Sequence, residues 1–223
     1  YSTSARIYNG YLYYSSQLTI YRVKLDPKHL VPKSTPEIIV IDDHEHGSHE
    51  HIGKPLAFDD EGYIYVPFGA PNNACQEPKR TPLVPGRDPC PDLDLHGGIW
   101  KFNADQTNQT QKDGELFATG LRSIVAMNWN PSDKTLYAVG HGRDDLARLW
   151  PNQYSKWESA LLPSEEFIKI EEGDNFGWPY CYYDQMQNKK LLNPEYGGDG
   201  KIIGRCDQFK DPIIGFPGHW APN

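Results

Sequence analysis

The sequence predicts an all-β fold, and within that class it favours a β-propeller. The chain of 223 residues contains 19 prolines and 20 glycines, which helix interiors disfavour by roughly 3 and 1 kcal/mol per residue. Three β-hairpins of similar design recur along the chain. Because propeller blades repeat every ~40–50 residues, the length corresponds to about four blades in one domain, residues 1–223.

Each of the three hairpins combines a short strand, a polar turn and a second strand that contains tyrosine. The first has Asn9-Gly10 between aromatic runs, which is the strongest short-range signal for a two-residue hairpin turn. The second covers residues 56–66 and the third covers residues 127–139. Further strands are predicted at 20–25, 37–41, 98–103 and 167–171, and the segment 72–95, rich in proline and charge, is predicted to be a long loop insertion.

The composition excludes two classes of partner. The formal net charge is −8, which argues against a nucleic-acid partner because phosphate binding needs a basic face. No apolar run approaches the ~20 residues of a membrane-spanning helix. Hydrophobic residues make up 38 % of the chain, and 14 Tyr, 8 Phe and 6 Trp are available to build the core.

The cysteines and one sequon favour a secreted, extracellular or periplasmic protein. Cys75, Cys90, Cys181 and Cys206 form no Cys-x-x-Cys motif, which disfavours a zinc ribbon. Their even number and separate neighbourhoods predict two local disulfides, Cys75–Cys90 and Cys181–Cys206. Asn108 begins an Asn-Gln-Thr sequon, so we expect it to be exposed and to carry a glycan.

A histidine-rich segment allows two interpretations. Its members are His44, His46, His49 and His51, interleaved with Glu45 and Glu50. His-x-His on a strand directs both rings to one side, as a metal site requires. The alternative is a solvated polar loop, which we favour because no further residue completes a ligand set.

Three other segments contain candidate site residues. His51 and Arg122 each lie five residues before a hairpin, which would bring a base and a cation to one pocket unless the spacing is coincidental. The segment 141–145, His-Gly-Arg-Asp-Asp, follows a strand. It is either a plain turn or a calcium site built from backbone carbonyls. The segment 172–181 is predicted to be a structural turn around a buried Trp178.

The order and spacing of these segments resemble the glucose/sorbosone dehydrogenase family. The likeness runs from about residue 51 to residue 181 and weakens on both sides. The Tyr180-Cys181 pair is similar to the sorbosone-type branch. The matching pieces are His51-Ile52-Gly53 ahead of Leu56-Ala57-Phe58, Gly120-Leu121-Arg122, His141-Gly142-Arg143, and the Gly-Asp-Asn-Phe-Gly-Trp-Pro run at 173–179.

The resemblance implies a six-bladed propeller that holds the quinone PQQ and calcium over its central channel. This chain would be an internal fragment, because the lysine and arginines that pair with PQQ in the family would follow its end and a glutamine-bearing blade would precede its start. By the resemblance, His51 is the catalytic base and Arg122 contacts the quinone oxygen that receives negative charge. We add that Glu50 would stabilise a protonated His51.

The resemblance also assigns the metal ligands. The backbone carbonyls of Gly142 and Arg143 would hold the cofactor calcium, and Glu166 would belong to a structural calcium site. Ser123 stands where the family has asparagine, so a cofactor contact through an amide is lost there.

Three functions follow from these patterns. The first is a PQQ-dependent enzyme that oxidises a sugar or aldose by hydride transfer, and its electron acceptor is unspecified. The second is a non-catalytic extracellular propeller that binds a protein or carbohydrate partner or is structural, since fold does not determine function. The third is a metal-binding protein that uses the histidine cluster 44–51.

Overall fold

The structure, a computed structural model, describes residues 4–44 and 50–220. In these ranges it has sixteen strands and two short α-helices. The strands are β1 Ser4–Tyr8, β2 Tyr11–Ser15, β3 Thr19–Lys24, β4 Glu37–Ile41, β5 Ala57–Phe58, β6 Tyr63–Phe68, β7 Gly98–Asn103, β8 Gln109–Thr110, β9 Glu115–Thr119, β10 Ile124–Asn130, β11 Thr135–Gly140, β12 Glu165–Ile170, β13 Asp174–Asn175, β14 Cys181–Asp184, β15 Lys189–Leu192 and β16 Ile214–Phe216; the helices are α1 Leu146–Leu149 and α2 Lys156–Leu161.

Three larger sheets are arranged as antiparallel meanders. The first follows the order β1-β2-β3-β4 and adds β8 parallel to β4. The second follows β5-β6-β7-β9 and adds β13 parallel to β9. The third follows β10-β11-β12-β16, and β14 and β15 form a separate hairpin. Each of the three meanders contains one of the predicted hairpins, so we refer to them as blades one, two and three.

The hairpin turns follow their predicted chemistry. In the turn between β1 and β2, Asn9 has φ 46° and Gly10 has φ 79°, as a type I′ turn requires. The strands predicted at 37–41 and 98–103 are observed as β4 and β7. β12 begins two residues earlier than expected, at Glu165.

The short helix α2 has a local sequence cause that we did not predict. The Ser155 hydroxyl accepts a hydrogen bond from the Glu158 backbone N–H, and the Glu158 carboxylate accepts one from the Ser155 N–H. This capping box satisfies donors that the first helical turn leaves free. The helix ends before Pro163 because the residue that precedes a proline disfavours helical geometry.

The apolar core lies between neighbouring blades. One cluster joins blades one and two, and a second joins blades two and three, so strand residues of blade two contribute to both. Burial on both faces explains why β6 is almost continuously apolar. The first cluster includes Tyr13, Ile20, Val40, Ile64, Phe68 and Phe102; the second includes Tyr65, Ile99, Phe117, Met127, Leu136 and Ile168.

Both predicted disulfides are confirmed. Cys75 bonds to Cys90 and Cys181 bonds to Cys206, with Cα–Cα separations of 6.1 and 5.8 Å. The first joins two residues of the segment 72–95, which is part of the connection between β6 and β7. Trp178 packs against that disulfide and is buried, as expected.

Two further expectations concern exposure and membranes. Asn108 is exposed on the connection before β8, which confirms the exposure that glycosylation requires. Within the described ranges, the structure contains no helix with the length and apolar character needed to cross a membrane.

Candidate functional site

His51 lies in the segment that enters blade two, just ahead of β5. Its Nδ1 atom is 2.7 Å from the carbonyl oxygen of Ala70. A carbonyl only accepts, so Nδ1 carries the hydrogen and Nε2 retains a lone pair. Burial, reinforced by the charge of Arg122, lowers the His51 pKa to about 3. The imidazole is therefore neutral at physiological pH and can accept a proton through Nε2.

Arg122 lies in the segment that enters blade three, between β9 and β10, and is only 6 % exposed. Its Nη1 donates to the Gly142 carbonyl at 2.5 Å, and its Nη2 donates to the Asp144 carboxylate at 2.7 Å and to the Asn73 side chain at 3.0 Å. Burial lowers the Arg122 pKa, yet a guanidinium remains protonated in proteins. Its Nε is buried and has no hydrogen-bond partner among the residues that the structure describes.

A single residue links His51 to Arg122. The Ala70 carbonyl accepts from His51, and the Ala70 N–H donates to the Arg122 carbonyl at 2.8 Å. The preceding residue has to be glycine, because a Cβ on Gly69 would lie 2.3 Å from the His51 carbonyl oxygen. The two residues that we paired on their equivalent positions before two hairpins are thus linked through Ala70, but neither of the two cavities beside them includes His51 in its lining, so the shared pocket stays a prediction.

The turn after β11 contacts Arg122 through the Gly142 carbonyl. We call His51, Arg122 and the residues that bind them the polar cluster. Gly142 packs so closely against blade three that a Cβ would lie 2.8 Å from the Ser164 carbonyl oxygen. Close backbone packing therefore explains this glycine without a ligand. The Arg143 side chain forms a buried ion pair with Glu195 at 2.5 Å, with exposed fractions of 1 % and 0 %. This pair anchors the turn to the 3-10 helix Pro194–Tyr196.

Asn73 and Asp144 belong to the cluster although the sequence analysis assigned neither a role. The Asn73 amide oxygen accepts from Arg122 and from the Asp144 backbone N–H at 2.8 Å, while its amide nitrogen donates to the Asp144 carbonyl at 3.0 Å. Burial alone would raise the Asp144 pKa, but the charges of Arg122 and Arg80 outweigh it and hold this pKa below its usual range. Asp144 is adjacent to a recognised motif, whereas no local pattern marks Asn73.

Glu50 has a different partner from the one we expected. Its carboxylate accepts hydrogen bonds from Nε and Nη2 of Arg80 at 3.0 and 2.6 Å. A bidentate pair with a guanidinium is stronger than a contact with a neutral imidazole, which accounts for the difference. Among the described residues, the acid whose charge acts most on His51 is Asp144.

Two cavities adjoin the cluster. The smaller has a volume of about 50 Å³, and its walls include Arg122, Ser123, Gly142, Arg143 and Glu166 but not His51. The larger is an open cleft of about 700 Å³. It is lined by Arg80, Asp144, Asp145, Ala147, Arg148, Lys156, Ser159, Ala160 and His219.

Glu166 lies on β12, at the wall of the smaller cavity. Desolvation raises its pKa, and the ammonium of Lys190 lies 3.8 Å from its carboxylate. In the described part of the chain, the one group of residues with metal-ligand proximity is Cys75, Cys90 and Asp92. Its two sulfurs form a disulfide, so it offers no thiolate to a metal. Glu166 therefore lies in no such group.

The histidine cluster is only partly described. His44 lies 3.3 Å from the Asp42 carboxylate, and its ring is 5.6 Å from that of His96. His51 faces Ala70 instead. Glu45, His46 and His49 lie outside the described residues, so the metal interpretation of this segment stays a prediction.

The fold and its central cluster define a β-propeller with a buried polar site where two blades meet. The sequence matches the family Glucose / Sorbosone dehydrogenase over residues 1–202. The chain therefore belongs to this family. No curated protein matches it by sequence.

Solved structures agree on the fold. A Trichoderma reesei protein of Carbohydrate-Active Enzymes Family AA12 has 17 % identity and a TM-score of 0.73, over 97 % of this chain and 55 % of that one. The pyranose dehydrogenase PQQ domain from Coprinopsis cinerea has 13 % identity and a TM-score of 0.71, over 97 % and 54 %. The soluble aldose sugar dehydrogenase from Escherichia coli has 16 % identity and a TM-score of 0.54, over 96 % and 52 %. This chain spans about half the length of these structures.

Proposed function

We propose that this chain is part of a PQQ-dependent sugar dehydrogenase. The observation that supports the proposal best is a neutral His51, whose Nε2 carries a lone pair, linked through one residue to the buried cation Arg122. Membership of the glucose/sorbosone dehydrogenase family supports a sugar or aldose as the substrate. The Tyr180-Cys181 pair favours the sorbosone-type branch.

The residues of the cluster fit an anionic quinone cofactor. The Nε of Arg122 is a buried, charged donor with no partner among the described residues, and an acceptor oxygen at that position would satisfy it. Arg80 and Arg148 in the adjoining cleft are already paired with aspartates, whereas Lys156 in the same lining would attract a carboxylate. The structurally similar domain from Coprinopsis cinerea is named for PQQ. When bound, PQQ supplies a quinone that accepts two electrons as a hydride.

The chain's own residues would perform proton transfer and charge stabilisation. The lone pair on His51 Nε2 accepts the proton of the substrate hydroxyl as the adjacent C–H bond breaks. Arg122, held by Gly142 and Asp144, presents fixed positive charge where negative charge develops. A pKa of about 3 makes His51 a weak base in isolation. An anionic ligand beside Arg122 would raise that pKa by offsetting the guanidinium, while desolvation, the larger cause of the lowered pKa, would remain.

Calcium fits this arrangement less well. The Gly142 carbonyl already accepts a hydrogen bond from Arg122 at 2.5 Å, so a divalent cation there would lie beside a guanidinium. Calcium could use the carbonyls of Gly142 and Arg143 only if that bond opened. We therefore keep calcium as a proposed ligand and derive no catalytic step from it.

The location follows from the covalent structure. Two disulfides persist in oxidising compartments, which supports an extracellular or periplasmic protein. A glycan on Asn108 is consistent with this location because the residue is exposed.

Reconstitution of the complete protein with PQQ, with and without calcium, followed by dye reduction with several aldoses tests the proposal. His51→Ala is expected to abolish turnover and leave PQQ binding nearly unchanged, because the base acts in the chemical step. Arg122→Ala is expected to weaken both. Unchanged turnover in His51→Ala removes that residue from the mechanism. Absence of PQQ binding by the wild type favours a propeller that binds a partner without catalysis.

A further inference from the structure

Arg80 is carried by an unusually constrained loop. The disulfide Cys75–Cys90 closes the loop, and the Gln76 side chain crosses it to donate to the Thr81 carbonyl at 3.1 Å. Arg80 itself has φ +49°, in the left-handed region that a side chain of this size rarely adopts. Such a backbone persists only where its surroundings determine it. The loop therefore constrains the backbone from which the Arg80 side chain extends.

The Arg80 guanidinium binds three carboxylates at once. Nε and Nη2 contact Glu50 at 3.0 and 2.6 Å, Nη2 contacts Asp144 at 3.0 Å, and Nη1 contacts Asp145 at 2.9 Å. The side chain is 28 % exposed. The planar guanidinium has five N–H donors and can contact three carboxylates at once, whereas a lysine ammonium is a single point charge.

These carboxylates belong to the two halves of the candidate site. Glu50 immediately precedes His51 in blade two. Asp144 binds the Arg122 guanidinium at 2.7 Å and follows the strand β11 of blade three. We propose that Arg80 is a positioning residue, which clamps the segment of His51 to the segment that holds Arg122 and so sets the separation of base and cation. The proposal rests on the proposed function for the roles of these two residues.

Arg148 provides a matched control within the same cluster. It pairs with Asp145 at 2.6 Å and donates to the Arg80 carbonyl at 3.5 Å. It contacts neither Glu50 nor Asp144, and its side chain is 53 % exposed. Substitution of Arg148 removes a charge from the cluster and leaves the clamp in place.

The clamp also acts on the protonation of His51. The charges that act on this imidazole come from Arg122 and Arg80, which lower its pKa, and from Asp144, which raises it. Loss of Arg80 removes one cation and releases Glu50 next to the imidazole. Both changes favour the protonated ring, so the His51 pKa provides a readout that does not depend on catalysis.

The experiment compares Arg80→Gln, Arg80→Lys and Arg148→Gln in the complete protein. Imidazole titration by NMR without cofactor is expected to show a His51 pKa raised by about one unit in Arg80→Gln and unchanged in Arg148→Gln. With PQQ and an aldose, turnover is expected to fall roughly 10- to 100-fold in Arg80→Gln, less in Arg80→Lys, and little in Arg148→Gln.

The two readouts separate the proposals. If the wild type has no turnover, the proposed function fails, and the titration alone then decides on the clamp. A His51 pKa that is equal in Arg80→Gln and Arg148→Gln overturns the clamp, as does equal turnover. If Arg80→Gln does not fold, Glu50→Gln removes the bidentate acceptor and is expected to lower turnover with quinone affinity retained. Wild-type turnover in Glu50→Gln would overturn the clamp.

Discussion

The surroundings of His51 control its protonation state. His51 is linked to the Ala70 carbonyl and lies close enough to Arg122 for that charge to act on its pKa. The site therefore disfavours a second ring proton on His51 at neutral pH. This preference has a consequence for stability that can be measured without any cofactor.

The first prediction concerns acid stability. The folded-state pKa of His51 is about 3, below the ~6.5 of an unfolded chain. Between these values only the unfolded state binds a proton here, so the free energy of unfolding falls as pH falls. The contribution of one proton is about 1.4 kcal/mol per pH unit. Urea unfolding at pH 5.0, 6.0 and 7.5 is expected to show a shallower pH dependence for His51→Gln than for the wild type. Parallel dependences would contradict the lowered pKa.

The second prediction concerns the close approach at Gly69. A Cβ there would lie 2.3 Å from the His51 carbonyl oxygen, a backbone atom that cannot rotate away. Gly69→Ala is expected to lower the free energy of unfolding by about 1–3 kcal/mol, typical of overpacking, and to displace His51. Gly53→Ala is the control, because nothing lies within 4 Å of its added methyl. Equal stability of the two variants in urea would show that the approach is not tight.

Among the structural elements, the turn after β11 depends on a buried ion pair. Glu195 accepts from Arg143 at 2.5 Å and from the Trp150 indole at 2.8 Å. Removal of one partner leaves a buried charge without compensation, which typically costs about 3–5 kcal/mol. This turn also supplies the Gly142 carbonyl, which accepts a hydrogen bond from Arg122. The Arg143–Glu195 pair therefore helps to position Arg122 by anchoring the turn.

The third prediction tests this support. Glu195→Gln is expected to lower the free energy of unfolding by about 3 kcal/mol or more, measured by urea unfolding monitored by circular dichroism. Glu172→Gln is the control, an exposed glutamate in the turn after β12; surface changes of this kind stay within about 0.5 kcal/mol. A Glu195→Gln variant as stable as the control would mean that Arg143 finds another partner.

Across the whole molecule, apolar clusters lie between the blades, and the candidate site lies in the loops that enter the blades. Blade two contributes to both clusters, and the segments that enter blades two and three carry His51 and Arg122. The packing that stabilises the propeller therefore also brings the candidate base and cation together. Asn108, on the connection before β8, is exposed and belongs to neither cluster.

The fourth prediction concerns this connection. Expressed through a eukaryotic secretory pathway, the protein is expected to carry a glycan on Asn108, because the sequon is exposed. Peptide N-glycosidase should reduce the mass of the wild type and leave Asn108→Gln unchanged. Stability should be similar in both, since the Asn108 side chain is exposed. An unmodified wild-type peptide at 108–110 would contradict the prediction.

Signals in the sequence were sufficient to predict the local architecture. Strand alternation and the Asn9-Gly10 turn predicted hairpins because their signals lie within a few residues. The disulfides were predictable because each pair closes a short segment, with separations of 15 and 25 residues. The equivalent positions of His51 and Arg122 before two hairpins marked them as candidate site residues, and that assignment stays a prediction.

The hydrogen-bond and ion-pair partners of these residues could be identified only in the folded structure. Asn73 reaches Asp144 across 71 positions, and Arg80 reaches the same aspartate across 64. Glu50 binds Arg80 rather than His51 for the same reason. Contacts between a loop and a neighbouring blade join residues far apart in the chain, so local sequence patterns do not predict them. They depend on how the blades pack, and packing is a property of the folded chain as a whole.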